Sequence, residues 1–342
     1  MPKPTTERDL FAAFARFGRT QNLTLHDPQL AEEFAATLKA DLARALKNPI
    51  WLHGNRVQNM FEAMVIAFDH HVLIKTEDAG DFFPKDRFAL PDFRVVLKAG
   101  GQMLVEVKNV YALQPGRQRF TIKRAYLRKL QDYALTVACD LRLALFFARW
   151  GIWTLIDPLA LKADGNALFI DMGEAVQVSE LARLGDQTIG TRAPLQLRFL
   201  ADHTKPRKVD VHGMVAMTIA AVKTYCRGVE LTSARDREMA WLMMQFGDWE
   251  SGEPTALMDG SLVDGIEFRW DPVEPSDQGF DFIGSASRMF ARYYSLRTVE
   301  DKAIVRVAPE TKPGLFRVLT TGDAKSDALP LWRIIQQPNR KA

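Results

Sequence analysis

The stretch from Leu90 to Val110, LPDFRVVLKAGGQMLVEVKNV, limits the fold more than any other part of the chain. Phe93, Val95 and Leu97 alternate with Arg94, Val96 and Lys98. After Ala99-Gly100-Gly101, Met103, Val105 and Val107 alternate with Leu104, Glu106 and Lys108. Two runs of period two around a glycine pair predict a β-hairpin. A two-residue loop would turn Asp92 away from Glu106 and Lys108. A three-residue loop, a common hairpin connection, brings Asp92 opposite Glu106 if it is Lys98-Ala99-Gly100, or opposite Lys108 if it is Ala99-Gly100-Gly101. Either three-residue register gathers Asp92, Glu106 and Lys108 on one face. The other face keeps Phe93, Val95, Leu97, Met103, Val105 and Val107 dry.

Two ionised carboxylates held close together repel each other. A hard divalent cation removes that cost, and Mg²⁺ is bound by one or two carboxylates together with water and substrate phosphate. Mg²⁺, with Mn²⁺ able to substitute, is therefore the expected cofactor. Asp92 and Glu106 are its expected ligands, and Lys108 would orient a water or meet phosphate charge. Acid-x-lysine also occurs at Glu300 to Lys302, Glu310 to Lys312 and Asp323 to Lys325, but only Glu106 to Lys108 lies in an apolar strand behind a Pro-Asp strand.

Pro91-Asp92, thirteen residues, then Glu106-Val107-Lys108 resembles the signature of the PD-(D/E)XK nuclease superfamily, which includes restriction enzymes, Holliday-junction resolvases and repair nucleases. The flanking segments resemble the family's αβββαβ core in order. Residues 55–68 carry Phe61, Met64, Val65 and Phe68 at helical spacing, and 71–77 reads as a strand. The hairpin follows. Residues 121–139 read as a second helix with an apolar stripe of Ala125, Leu127, Leu130, Ala134, Leu135 and Val137, and 141–149 and 152–157 read as strands. The resemblance spans about residues 50–160. It implies a DNA endonuclease working in restriction, defence or mobile-element processing, the Val107 carbonyl as a further metal ligand, Glu62 as an assisting acid from the first helix, and Lys129 or Gln131 facing the site from the second.

Charge patterning adds a nucleic-acid partner. No acidic residue lies between Glu106 and Asp132, while Lys108, Arg117, Arg119, Lys123, Arg124, Arg128 and Lys129 do. A basic segment beside a metal site suits a phosphate backbone. The whole chain carries only +3, so the affinity must be local.

The expected class is α/β, a restriction-endonuclease-like αβββαβ core (51–205) with an N-terminal helical extension (1–50) and a C-terminal α+β domain (209–342). In the extension, Thr6 and Asp9 would cap one helix, and Asp27-Pro28 would start another carrying Leu30, Phe34, Leu38 and Leu42. These helices would pack on the core or form a dimer surface. Residues 160–200 would decorate the nuclease sheet, with strands at 167–171 and 195–200 around a short helix near 179–184. Residues 201–208, ADHTKPRK, would be a hinge. Beyond it, helices are expected at 211–226, 233–246 and 283–297, and strands at 303–308 and 315–320. That order suggests a winged-helix-like module with Arg288, Arg292 and Arg297 on its reading helix and Lys312 in its wing. It would bind DNA or a protein partner.

Other classes are disfavoured. No apolar run is long enough for a membrane span, the opening MPKPTTERDL lacks the apolar core of a secretory signal, and Cys139 and Cys226 do not make a disulfide framework. A cytoplasmic protein follows as the expectation, with a homodimer the simplest way to cut both strands of double-stranded DNA. There is no Walker loop, GxGxxG turn, zinc spacing or GxSxG elbow. The alternatives are a non-catalytic nucleic-acid-binding protein, a nuclease subunit active only inside a larger assembly, and an RNA- or junction-directed nuclease.

Overall fold

The computed structural model describes residues 7–77, 85, 87–322 and 326–339. The expected Thr6 cap and the Asp323/Lys325 pair lie outside the described residues. The protein is a mixed α/β molecule. Helix α1 (Glu7–Gln21) folds against α2 (Pro28–Leu46) through Phe14 and Phe17 on Phe34. Asp27 caps α2 by accepting from the Gln29 N–H, with Pro28 in the first turn. Only the start of the α2 apolar row is covered: Leu30 is buried, but Leu38 and Leu42 are exposed.

Helix α3 (Pro49–Phe68) starts earlier than its apolar period suggests, because Asn48 caps it and Pro49 suits the first turn. Strands β1 (His71–Thr76), β2 (Phe93–Leu97) and β3 (Gln102–Val110) follow. Next come β4 (Arg119–Lys123), α4 (Arg124–Thr136), β5 (Asp140–Phe147) and β6 (Ile152–Ile156). The main sheet has the order β1-β2-β3-β5-β6, with β3 and β5 parallel and the other neighbours antiparallel. A parallel pair needs a crossover, and α4 supplies it.

Both faces of this sheet are covered. Phe93, Val95, Leu97, Met103, Val105 and Val107 meet the buried side of α3, including Val57, Met60, Phe61, Met64 and Phe68. On the opposite face Leu104, Leu143 and Leu145 meet Leu127, Leu130 and Tyr133 of α4. Each fully covered large apolar side chain contributes roughly 1.5–3 kcal/mol.

Several sequence expectations give way to tertiary pairing. Residues 119–123 are not helical; Phe120 and Ile122 are buried alternately with exposed neighbours, and the strand pairs with Ala167–Asp171. Helix α4 therefore begins at Arg124, and Ala125 and Leu135 of its supposed stripe are exposed. The strands at 167–171 and 195–201 form, but they join other sheets and do not extend the main one. Residues 211–226 are not a helix. Gly213 turns the chain with φ +78°, and Ile219–Cys226, rich in β-branched and aromatic residues, pairs with Leu195–Ala201. The expected hinge at 201–208 thus leads between neighbouring strands of one antiparallel sheet, which Leu262–Asp271 also joins.

The winged-helix order does not form. Asp281–Ser285 is a strand, and Ser285 caps the helix Ala286–Thr298 by accepting from the Arg288 N–H. Only Ala303–Ile304 pairs, with Val299–Glu300, and Arg317–Thr320 is a helical turn. Pro309 and Pro313 interrupt the segment, and Phe316 is drawn into an aromatic cluster with Phe68, Phe246 and Phe290. Arg288 and Arg292 pair with Asp248, and Arg297 donates to the Tyr293 hydroxyl. The helix Ala234–Phe246 forms as expected, with Met239, Leu242, Met243 and Phe246 buried. These residues and Phe290 share one apolar core with α3 and the β2–β3 hairpin. Cys139 and Cys226 are free and buried. Among the described residues, no helix is long and apolar enough to cross a membrane.

One ion pair fixes the edge of the sheet next to the hairpin. Arg94 on β2 donates to both oxygens of Glu77 (2.7 and 3.2 Å), and the Tyr133 hydroxyl of α4 donates to Glu77 at 2.6 Å. Burial pushes Glu77 up, but Arg94 and Tyr133 together hold it below the usual carboxylate range. Burial, then Glu77, pushes the Tyr133 phenol up to about 12. Arg94→Ala should lower the unfolding free energy by about 2–3 kcal/mol, less than for a fully buried pair because Arg94 is 25% exposed. Since the folded pKa of Glu77 is depressed, its contribution is full above its unfolded pKa. It is lost as pH falls through the folded value. Urea midpoints at neutral and acid pH check both points; an unchanged midpoint at neutral pH would show that the pair is not stabilising.

Candidate active site

The hairpin loop decides which side chains meet. Phe93 pairs with Val105 and Val96 with Gln102, and the Leu97 N–H donates to the Gly101 carbonyl at 3.0 Å. The loop is Lys98-Ala99-Gly100, with Gly100 and Gly101 at φ +93° and +80°, a backbone that glycine adopts freely. Of the two three-residue registers, this is the one that carries Asp92 level with Glu106. Continuing it brings Pro91 level with Val107. In an antiparallel pair, residues exchange N–H and C=O bonds, and Pro91 has no N–H to give. Asp92 fills half of this gap, its Oδ2 accepting the Val107 N–H at 2.6 Å.

Asp92 is tied on every side. Its Oδ1 accepts from Gln58 Nε2 of α3 at 2.6 Å, and its carbonyl accepts the Glu77 N–H at 2.9 Å. Glu106 lies deeper, 1% exposed. Its Oε1 accepts from the Tyr126 hydroxyl at 2.8 Å and from Lys108 Nζ. Lys108 also lies 5.7 Å from the centre of the Tyr126 ring. The second oxygen, Oε2, is buried and has no hydrogen-bond partner among the described residues. A buried carboxylate oxygen without a partner is costly and calls for an explanation.

Glu62 stands apart from this pair. Among the described residues no three His, Cys, Asp or Glu side chains converge as a metal-binding group. The carboxyl of Glu62 is half-buried, and burial pushes its pKa up. It also lies within electrostatic reach of Tyr294 on the Ala286–Thr298 helix. Gln58, one turn earlier on α3, takes the place beside Asp92.

Helix α4 likewise reaches Glu106 through Tyr126, while Lys129 and Gln131 lie further along it. Gln58 and Tyr126 were both missed as site residues. Gln58 could have been found from its spacing to Glu62 on one helix face; Tyr126 carried only the signal of an aromatic inside a basic run. Of the basic segment, Arg119 is paired with Asp171 at 2.9 Å and lies over Phe169, and Arg124 donates to the Gly165 carbonyl at 3.0 Å. Arg117, Lys123, Arg128 and Lys129 are exposed.

The donor set present is thus two carboxylates on neighbouring strands, one with an orphaned buried oxygen. All are oxygen donors, and one or two carboxylates with water and substrate completing the shell is the usual requirement of a magnesium-sized cation.

No family model and no curated protein sequence matches the chain. Among solved structures it is similar to Archaeoglobus fulgidus Hjc, a Holliday junction resolvase from an archaeal hyperthermophile. That match has 16% identity and a TM-score of 0.30, and covers 39% of this chain and 96% of that one.

Glu62 supplies a measurable consequence. Its folded pKa lies above its unfolded value, so its ionised form destabilises the fold at neutral pH. That penalty disappears as pH falls through the raised pKa. Glu62→Gln should therefore raise the denaturation midpoint at pH 7 and leave it near wild type in acid. A lowered midpoint at pH 7 would mean that the carboxylate has a stabilising partner.

Proposed function

We propose that this protein is a divalent-metal-dependent endonuclease that hydrolyses phosphodiester bonds in DNA. The observation that carries the reading is Glu106: a buried carboxylate with one bare oxygen, on the strand facing Asp92 and beside Lys108. The order α3, β1, β2, β3, then α4 and β5 after the intervening β4, with β3 and β5 parallel, supports assigning these residues to a restriction-endonuclease-like core.

Asp92, Glu106 and the Val107 carbonyl would hold the cation, Mg²⁺ or Mn²⁺. Once bound, such an ion polarises a phosphoryl oxygen and lowers the pKa of a water. Gln58 and Tyr126 orient the two carboxylates through the hydrogen bonds described above. Lys108, whose side chain is one-third exposed, would hold the attacking water or meet charge developing on the phosphate. The exposed cations Arg117, Lys123, Arg128 and Lys129 would take the flanking phosphates, as would Arg124. Two copies related by a two-fold axis would cut both strands of a duplex.

A second reading, a subunit active only within a larger assembly, is favoured by one feature. Helices α1 and α2 leave Leu10, Phe11, Leu38, Leu42 and Leu46 exposed, and exposed apolar surface of this kind marks protein contacts.

Supercoiled plasmid incubated with Mg²⁺ or Mn²⁺ tests the proposal. Wild type should nick or linearise it; Asp92→Ala and Glu106→Ala should abolish cutting, and Lys108→Ala should slow it by about 10²–10³-fold. Mn²⁺ should also raise the melting temperature of wild type but not of Glu106→Gln. Cutting that survives all three alanine changes would overturn the site assignment. Duplex binding without cutting in any sample would favour the assembly reading.

A further inference from the structure

A cavity of about 1020 Å³ opens beside the candidate site. Its walls come from the first turns of α3, the end of β3, the turn between β5 and β6, and the helix Ala286–Thr298. Lys108 and Gln58 belong both to this cavity and to the candidate site. Arg56, Arg149, Arg288 and Arg292 line it too, and among the described residues no Asp or Glu does.

Two of those arginines are already matched: Arg288 and Arg292 share the single carboxylate of Asp248, at 3.1 and 2.5 Å. Arg56 is not. It is 7% exposed, and its guanidinium donates only to the hydroxyls of Thr298 (2.8 Å) and Ser295 (2.9 Å) beside the Tyr294 ring. Among the described residues it has no carboxylate partner. Burying a guanidinium this way is unfavourable unless an anion completes it.

At the rim stand two large aromatics, Trp150 and Tyr111, 43% and 61% exposed. Exposed rings beside a cationic groove are what a single nucleic-acid strand uses, its bases stacking and its phosphates pairing with arginine. The volume is at the upper end for small-molecule sites, room for a nucleotide or a few.

We infer that this cavity receives an unpaired stretch of the DNA strand next to the bond that is cut, with Arg56 and Arg149 taking its phosphates and Trp150 stacking on a base. The assignment rests on the nuclease reading for what happens at Lys108. The preferred substrate is therefore DNA with a single-stranded extension or splayed arm, not a continuous duplex.

Fluorescence anisotropy in a metal chelator tests this without cleavage, using a labelled blunt duplex and the same duplex with a short unpaired extension. Wild type should bind the extended DNA about tenfold or more tightly than the blunt form. Arg149→Glu and Trp150→Ala, both on an exposed turn, should collapse that ratio toward one while melting like wild type. Lys205→Glu, the same charge change on an exposed residue outside the cavity, should keep the ratio. Equal binding of the two DNAs by wild type, or a preference that survives in both turn variants, would overturn the inference.

Parallel cleavage assays with Asp92→Asn separate the two readings. Metal-dependent cutting that this variant loses, together with equal binding of both DNAs, would leave the nuclease standing and remove the cavity assignment. A strong preference for the extension with no cutting under any metal would do the reverse.

Discussion

Everything in the centre of this molecule depends on where the β2–β3 hairpin turns. Side chains alternate across a strand, so a shift of one residue would exchange the two faces of the hairpin. With the loop at Lys98-Ala99-Gly100, the six apolar residues of the pair reach α3, and Asp92 comes level with Glu106. The same pairing that closes the larger core therefore also assembles the carboxylates. A one-residue slip that turned Asp92 away from Glu106 would also part Phe93 and Val95 from Met103 and Val105. Hydrophobic burial thus guards a geometry that the polar groups could not hold alone.

Around that hairpin the protein keeps several groups in poor electrostatic company. Glu106 carries an orphaned oxygen, Glu62 is half-buried and raised by burial, and Arg56 is buried against hydroxyls and an aromatic ring. None of these arrangements favours folding. Their cost is offset by well-satisfied contacts nearby: Glu77 with Arg94 and Tyr133, Arg142 with Glu180 at 2.9 Å, and the continuous apolar packing below β2 and β3. Local conflict embedded in an otherwise consistent structure is the pattern expected of a functional region.

Period-two alternation made the hairpin, and with it Asp92, Glu106 and Lys108, readable without coordinates. The helical spacing of α3 was equally clear. What spacing does not give is the rotation of a helix about its axis relative to the sheet. Gln58 and Glu62 lie one turn apart on the same side of α3, and chemistry favoured the acid while packing brought the amide to Asp92. Tyr126 was hidden for a related reason, since residues 119–123 form a strand and α4 begins later than its apolar residues suggest. In the C-terminal half the local signals were ambiguous. A mostly apolar run such as 215–226 suits a buried helix or a strand, and only the partner Leu195–Ala201 decides. The expected wing dissolved because Phe316 finds an aromatic cluster around Phe68, a contact far away in sequence.

That shared core has an architectural consequence. Met243, Phe290, Phe316 and Tyr294 belong to the same apolar core as α3 and the hairpin residues. A cut near residue 205 would divide this shared core. A truncated fragment ending near residue 205 would lose Phe290 and Phe316 from against Phe68 and leave that ring without its aromatic cover. By the same logic, recombination cannot transplant the hairpin motif alone. It must carry along the C-terminal helices, and with them Arg288 and Arg292, so that whatever these side chains grip is inherited together with Asp92 and Glu106.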